Sequence, residues 1–175
     1  VRLSLSTSTS SGGGGGNVRL RGLTVRGLVL GDPSNLGRGE ADDTNICKRV
    51  EVSTNKAAKK FLTDGRPDTH WQSDGRSGQH WIRLHVDAEA IITGLAIQIN
   101  ANDGNYCPSL VDVFVGDVSS DLKKLRTVPL TPTGLQRCVL FDKMSLAHRI
   151  VQVNIRENNG GCDCKVRGIF LSGHF

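Results

Sequence analysis

From residue 82 to residue 171 apolar and polar positions alternate with a period of two. Ile82, Leu84 and Val86 fall on one side, and Arg83, His85 and Asp87 on the other. Leu95, Ile97 and Ile99 interleave with Ala96, Gln98 and Asn100. The rhythm returns in Val111, Val113 and Val115, in Val139 and Phe141, in Val151, Val153 and Ile155, and in Ile169 and Leu171. Successive side chains of a strand point to opposite faces, so this alternation predicts sheets with one buried and one wet face. Turn signals separate the runs: Asp103-Gly104-Asn105, Gly116-Asp117, Thr131-Pro132-Thr133-Gly134 and Asn158-Asn159-Gly160-Gly161. Upstream, Ile46, Val50 and Val52 have β character, and residues 55–62 read as one short helix that starts on Asn55 and stops at Asp64-Gly65. Seven or eight antiparallel strands with a single helix predict an all-β fold, a two-sheet antiparallel β-sandwich or jelly roll.

The texture before residue 44 is different. Residues 1–40 hold ten of the 21 glycines and a Ser/Thr run. Such a segment buries too little apolar area to offset its ordering entropy, so 1–43 is expected to be a flexible linker and 44–175 the folded domain. Within the linker, Leu23-Thr-Val-Arg-Gly-Leu-Val-Leu30 could dock as a strand, weakened by its glycines. The net charge of +5 is shared between the linker and the domain. It forms no dense Lys/Arg stripe, which argues against nucleic acid as a partner. No apolar run is long enough for a membrane span, and the first residues lack the apolar core of a signal peptide. Five cysteines, an odd number, in a domain large enough to fold without staples point to free thiols in an intracellular setting, cytoplasmic or nuclear.

A search for reactive chemistry yields little. The chain has no Gly-x-Ser-x-Gly elbow, no phosphate-binding loop and no His-Glu-x-x-His, so no enzyme activity and no cofactor are expected. Cys162-Asp163-Cys164 has a metal-like spacing, but the second pair that a structural zinc site uses is missing. In a strand the two cysteines would share a face as small buried side chains. The most informative stretch is Asp64-Gly-Arg-Pro-Asp-Thr-His-Trp-Gln-Ser-Asp-Gly75. Two Asp-Gly steps place turns at its ends. Trp71 between them is set to bury its ring as a lid on the sandwich and to donate its indole N–H. Ser73, Asp74 and Gly75 would either complete that turn or line a rim where a ligand docks.

Here the chain resembles the DOC domain, which occurs in the anaphase-promoting complex and in several very large ubiquitin ligases. Trp71-Gln-Ser-Asp-Gly75 is similar to the family's most recognisable motif, and His80-Trp-Ile-Arg-Leu84 follows at the expected distance. Asn105-Tyr-Cys-Pro-Ser109, Leu122-Lys-Lys-Leu125 and the stretch 153–169 resemble later segments in the right order. The likeness spans roughly 45–173. It implies a jelly roll of the galactose-binding type with no catalytic centre, whose loops at one end bind ligand. In the anaphase-promoting complex that end helps grip a degron peptide. The corresponding loops here are 101–107 and 157–164. Arg76-Ser77-Gly78 departs from the family's usual continuation of the motif. The chain also ends at Ser172-Gly-His-Phe175, without the Ile-Arg tail of the complex subunit, so it is expected to come from a larger ligase.

The residues singled out are Asn105, Glu157, Asn158, Asn159, Gly160 and Asp163, with Ser73 and Asp74 as weaker candidates. Amides and exposed glycine backbone can bond an extended peptide, and Asp163 or Glu157 can attract its basic side chain. Asn158, Asn159 and Asp163 are expected to be exposed. Asn-Asn-Gly-Gly is equally a good turn sequence in any hairpin. The expected partners are a protein substrate or degron peptide and other ubiquitin-ligase domains or subunits. A carbohydrate-binding module is the alternative. It is disfavoured because sugar sites need exposed aromatic platforms, and Trp71 and Trp81 are both expected inside.

Overall fold

The computed structural model of the chain describes residues 46–75 and 80–175. The expected linker over 1–43, its 23–30 segment and the Arg76-Ser77-Gly78 departure lie outside the described residues. The strands are β1 (Cys47–Val52), β2 (Trp71–Gln72), β3 (His80–Val86), β4 (Ile91–Asn100), β5 (Pro108–Gly116), β6 (Lys123–Pro129), β7 (Leu135–Phe141), β8 (Ile150–Asn158), β9 (Lys165–Val166) and β10 (Gly168–His174). They form a five-stranded sheet in the order β1-β3-β8-β5-β6, a three-stranded sheet β10-β4-β7 and a two-stranded corner β2-β9. Every pairing among these strands is antiparallel. The architecture is the all-β sandwich that the alternation predicts.

The core lies between the two larger sheets. Ile82, Leu84, Val111, Val113, Val151, Val153 and Ile155 face Leu95, Ile97, Ile99 and Phe141 across it, all nearly inaccessible. Each such side chain stabilises the fold by about 1.5–3 kcal/mol relative to exposure, which makes the sandwich a stiff base for its loops. Three expectations need correction. Trp81 is not inside. It shares the parity of Arg83 and His85 on β3, so it stands half-exposed on the outer face with the Arg83 guanidinium 4.7 Å over its ring. Val139 and Phe141 do not face the same way. A bulge in the β4–β7 pairing sets Leu140 and Phe141 both inside and leaves Val139 out. The short helix exists, but as a 3₁₀ helix, Lys56–Leu62, and Asn55 does not cap it. Asn55 is left-handed (φ 49°) and donates its amide to the Gln72 carbonyl instead. A second 3₁₀ helix, Ala101–Tyr106, follows β4.

Register fixes which loops share an end. Val52 lies beside Ile82, His80 beside Ile155, Pro108 beside Asn158 and Gly168 beside Gln98. The turn after β1, the 63–75 segment, the second 3₁₀ helix and the 158–164 loop therefore gather at one end of the sandwich.

Candidate functional site

The loops at this end are fastened to one another before any ligand is considered. β2 and β9 pair Trp71 with Val166 and Gln72 with Lys165. Ser73 extends the ladder: its N–H donates to the Cys164 carbonyl (2.9 Å), and its hydroxyl accepts from the Cys164 N–H (2.8 Å). Trp71 is fully buried and donates its indole N–H to the Thr54 carbonyl at 3.0 Å, as its flanking turns suggest. The Asp74 N–H reaches the Thr54 hydroxyl at 2.8 Å.

Asp163 ties three neighbours together. One carboxylate oxygen accepts from the Gly75 N–H (2.6 Å) and the other from the Gln72 amide (3.1 Å), while its carbonyl accepts from the Asn158 amide. The 101–107 loop joins through backbone bonds. The Gly161 N–H donates to the Asn105 carbonyl (3.0 Å) and the Asn159 N–H to the Cys107 carbonyl (3.1 Å). A side chain at Gly161 would meet the Asn105 carbonyl at 2.6 Å, so only glycine allows this approach. Arg167 closes the corner with a forked ion pair to Asp103 at 2.6 and 3.0 Å and a bond to the Pro67 carbonyl at 3.0 Å. Both charged side chains are largely shielded from water. His80, buried at the start of β3, sets Nε2 2.6 Å from the Cys162 carbonyl. A carbonyl only accepts, so that nitrogen carries the hydrogen.

These ties sort the expected site residues. Ser73 is 3% exposed and its hydroxyl is engaged, so it braces the loop pair from within the lining of the cleft described next. Asn158 and Asp163 are half-buried, not exposed, because both hold the hairpin together. Gly160 is exposed and left-handed (φ 100°), a turn position. Glu157 is exposed on β8 beside Leu110, away from the cleft described next. Asp74, Asn105 and Asn159 are exposed, and their side chains have no partner among the described residues.

A cleft of about 750 Å³ opens between the first 3₁₀ helix and the 68–74 segment. Phe61 and Ala58 give it an apolar wall; Asp68, Asp74 and Asp163 bring carboxylates, and Asn55, His70 and Gln72 complete the polar side. Burial lowers the His70 pKa, and the positive charges of Lys165 and Arg167 lower it further, keeping the ring neutral and able to accept. Lys165 in turn lies 4.8 Å over the ring of Tyr106, which is 39% exposed. Sequence reasoning missed Phe61, Asp68, His70 and Tyr106. Asp68 and His70 stand in the motif stretch itself, flanking Thr69; Phe61 was assigned to an ordinary helix face.

No group of three or more His, Cys, Asp or Glu among the described residues could hold a metal ion. Cys162 is exposed and Cys164 fully buried, so they share no face. Burial pushes the Cys164 thiol up to about 11. Among the described residues no helix is long and apolar enough to cross a membrane.

Comparison with known proteins places this arrangement. The family model for anaphase-promoting complex subunit 10 (APC10) matches residues 41–173. Zinc finger ZZ-type and EF-hand domain-containing protein 1 of Mus musculus is 32% identical over 147 residues, covering 81% of this chain and 5% of that protein. Human Cullin-9 is 33% identical over 136 residues (77% and 5%), and the human E3 ubiquitin-protein ligase HERC2 is 34% identical over 131 residues (74% and 3%). The chain therefore spans less than a tenth of each of these relatives. Among solved structures, a carbohydrate-binding module, CBM32-1, from a family 31 glycoside hydrolase of Clostridium perfringens superposes with TM-score 0.60 at 12% identity, covering 74% of this chain and 97% of that one. An F5/8 type C domain from Bacteroides fragilis gives TM-score 0.56 at 16% identity, covering 70% and 89%. At such identity these neighbours speak for the fold alone, a galactose-binding type of jelly roll. The family model covers most of the chain, and the chain belongs to the APC10, or DOC-domain, family.

Proposed function

We propose that residues 44–175 form a non-catalytic peptide-binding module of a ubiquitin ligase, tethered through 1–43. The module holds an extended segment of a protein substrate at the loop end of the sandwich. Family membership and large relatives that include an E3 ubiquitin-protein ligase support the setting, which is intracellular. The observation that carries the binding mode is the cleft itself. It combines an apolar wall at Phe61 with the carboxylate of Asp74, whose side chain has no partner among the described residues; at the same end of the sandwich stand Tyr106 and the exposed amides of Asn105 and Asn159. An extended peptide with a basic side chain next to an apolar one fits this lining: the cation meets Asp74, the apolar group Phe61, and the backbone the amides, while Asp68 is already paired with Arg66.

The test is a peptide-display selection against the 175-residue chain, with affinities measured for the enriched sequences. Enrichment of Arg or Lys beside an apolar residue is expected, with about tenfold weaker binding to Asp74→Ala and to Asn105→Ala/Asn159→Ala. Equal affinity for these variants and the natural chain would remove the site. The carbohydrate reading makes a different forecast. A glycan array would give specific hits abolished by Tyr106→Ala, since Tyr106 is the exposed aromatic at this end, although Lys165 already covers one of its faces.

A further inference from the structure

The five-stranded sheet ends on β1, and that edge carries its own recognition chemistry. The Ser53 N–H donates to the Trp81 carbonyl, and β1 pairs Glu51 with Arg83 and Arg49 with His85. In an antiparallel ladder alternate residues bond the neighbour. Arg49, Glu51 and Ser53 therefore spend their backbone groups on β3, and Val50 and Val52 turn theirs to the other side, where no strand among the described residues pairs with them. Residues of the first 3₁₀ helix and of β1 together line two grooves beside this edge. One, about 390 Å³, is lined by Arg49, Glu51, Val52, Ser53, Lys56, Lys59 and Trp81; the other, about 320 Å³, by Arg49, Val50, Lys59 and Lys60 among others. Lys59 and Arg49 belong to both, so the two grooves form one track along β1.

The charge on this track is unbalanced. Glu51 is surrounded by Arg49 (2.9 Å), His85 (3.1 Å) and Arg83 (3.6 Å), and Asp87 by Lys48 (2.7 Å). Lys56, Lys59 and Lys60 are exposed and have no acidic partner among the described residues. Lysines beside a free strand edge repel a second basic edge such as another β1, and they favour a strand bearing carboxylates. The faces of the track differ too. Arg49 and Trp81 stand on the outer face, while Val50 packs against the core.

We propose that the β1 edge is a docking site for an acidic, extended peptide segment, which joins the sheet as a sixth strand. Its backbone pairs with Val50 and Val52. Its carboxylates lie on the outer face by Arg49 and the lysines, and its apolar residues alternate toward Val50. This surface is separate from the loop-end cleft and does not depend on what binds there.

The probe is a fluorescein-labelled peptide of alternating Val and Glu, eight residues in all, titrated into the 175-residue chain by anisotropy, with amide exchange followed by NMR. Binding is expected, together with slowed exchange of the Val50 and Val52 amides. Lys56→Glu/Lys59→Glu/Lys60→Glu is expected to weaken binding by about tenfold or more. A peptide of the same sequence with every amide N-methylated should lose as much, since it cannot donate to the edge. Asn159→Ala, in the other site, should change nothing. No binding would overturn the proposal. So would equal binding of the N-methylated peptide, which would mean adsorption by charge alone, or binding that leaves the exchange of Val50 and Val52 unaltered.

Discussion

Two aspartates, Asp163 and Asp74, divide the loop end into a fastened half and a free half. The Asp163 carboxylate is filled by the Gly75 N–H and the Gln72 amide, and its carbonyl by Asn158. Asp74 donates its backbone N–H to Thr54, and its carboxylate lines the cleft with no partner among the described residues. The contrast recurs around the end. The side chains of Ser73, Asn158, Asp103 and Arg167 work inward; those of Asn105 and Asn159 have no partner among the described residues. A polar residue in a loop is therefore a candidate for binding only after the loop's own backbone has been satisfied. Stability and binding should separate along this line.

The sharpest break of the comparison is expected at the corner beneath both halves. Trp71→Ala empties the plug and orphans the Thr54 carbonyl, and should cost about 3–5 kcal/mol in denaturant unfolding. Arg167→Ala leaves Asp103 as a shielded charge without its fork, a change expected to cost about 3 kcal/mol. If Arg167→Ala unfolds with the stability of the natural chain, the pair is not what holds 101–107 to the corner. Asp163→Ala comes next, at about 1–3 kcal/mol, since it strands the Gly75 N–H and the Gln72 amide. Asn159→Ala, from the free half, should stay within about 0.5 kcal/mol in the same assay while lowering peptide affinity. A stability loss at Asn159 equal to that at Asp163 would erase the distinction between the halves.

How far the sequence foretold this end follows the same division. The strands were legible because alternation is a backbone property, and the gathering of 101–107 with 157–164 agrees with the family likeness. Trp71 was legible because turns on both sides leave a large ring one place to go. Trp81, ten residues on, was misjudged by residue type although its parity with Arg83 was on view. Val139 was misjudged because one bulge in the β4–β7 pairing inverts the alternation beyond it, and a bulge leaves no fixed residue signature. The fates of Ser73 and Asp163 were hidden for another reason. Their partners, Cys164 and Gln72, lie 91 residues away in each case, and nothing local reveals whether a hydroxyl or carboxylate is already engaged. The cleft residues Phe61 and His70 come together from the two sides of a turn and were hidden likewise.

The smallest effects are expected at the paired charges on the outer face of the five-stranded sheet, half-exposed at Glu51 and buried at Asp112. The His85 hydrogen bond to Glu51 holds its carboxyl below the usual range; burial opposes this, and the charges of His85, Arg49 and Arg83 add to it. Burial pushes the Asp112 carboxyl up, but the bonds from Lys124 and Thr127 outweigh it and leave it lowered as well. A carboxyl with a lower pKa folded than unfolded binds fewer protons in the native state, so stability rises with pH through the interval between the two values. The contribution is complete above the ordinary carboxylate range, about pH 4–4.5, and disappears as the pH falls through the lower folded values. Urea midpoints measured from neutral pH downward should therefore be flat to about pH 5 and then decline. In Glu51→Gln the decline should be shallower and the neutral-pH midpoint almost unmoved, because exposed pairs contribute little. A steeper acid limb in Glu51→Gln would mean that Glu51 is strained by the sheet instead of stabilised by its three cationic neighbours. The fastened half of the loop end would then be the molecule's main electrostatic asset, with Arg167 and Asp103 at its centre.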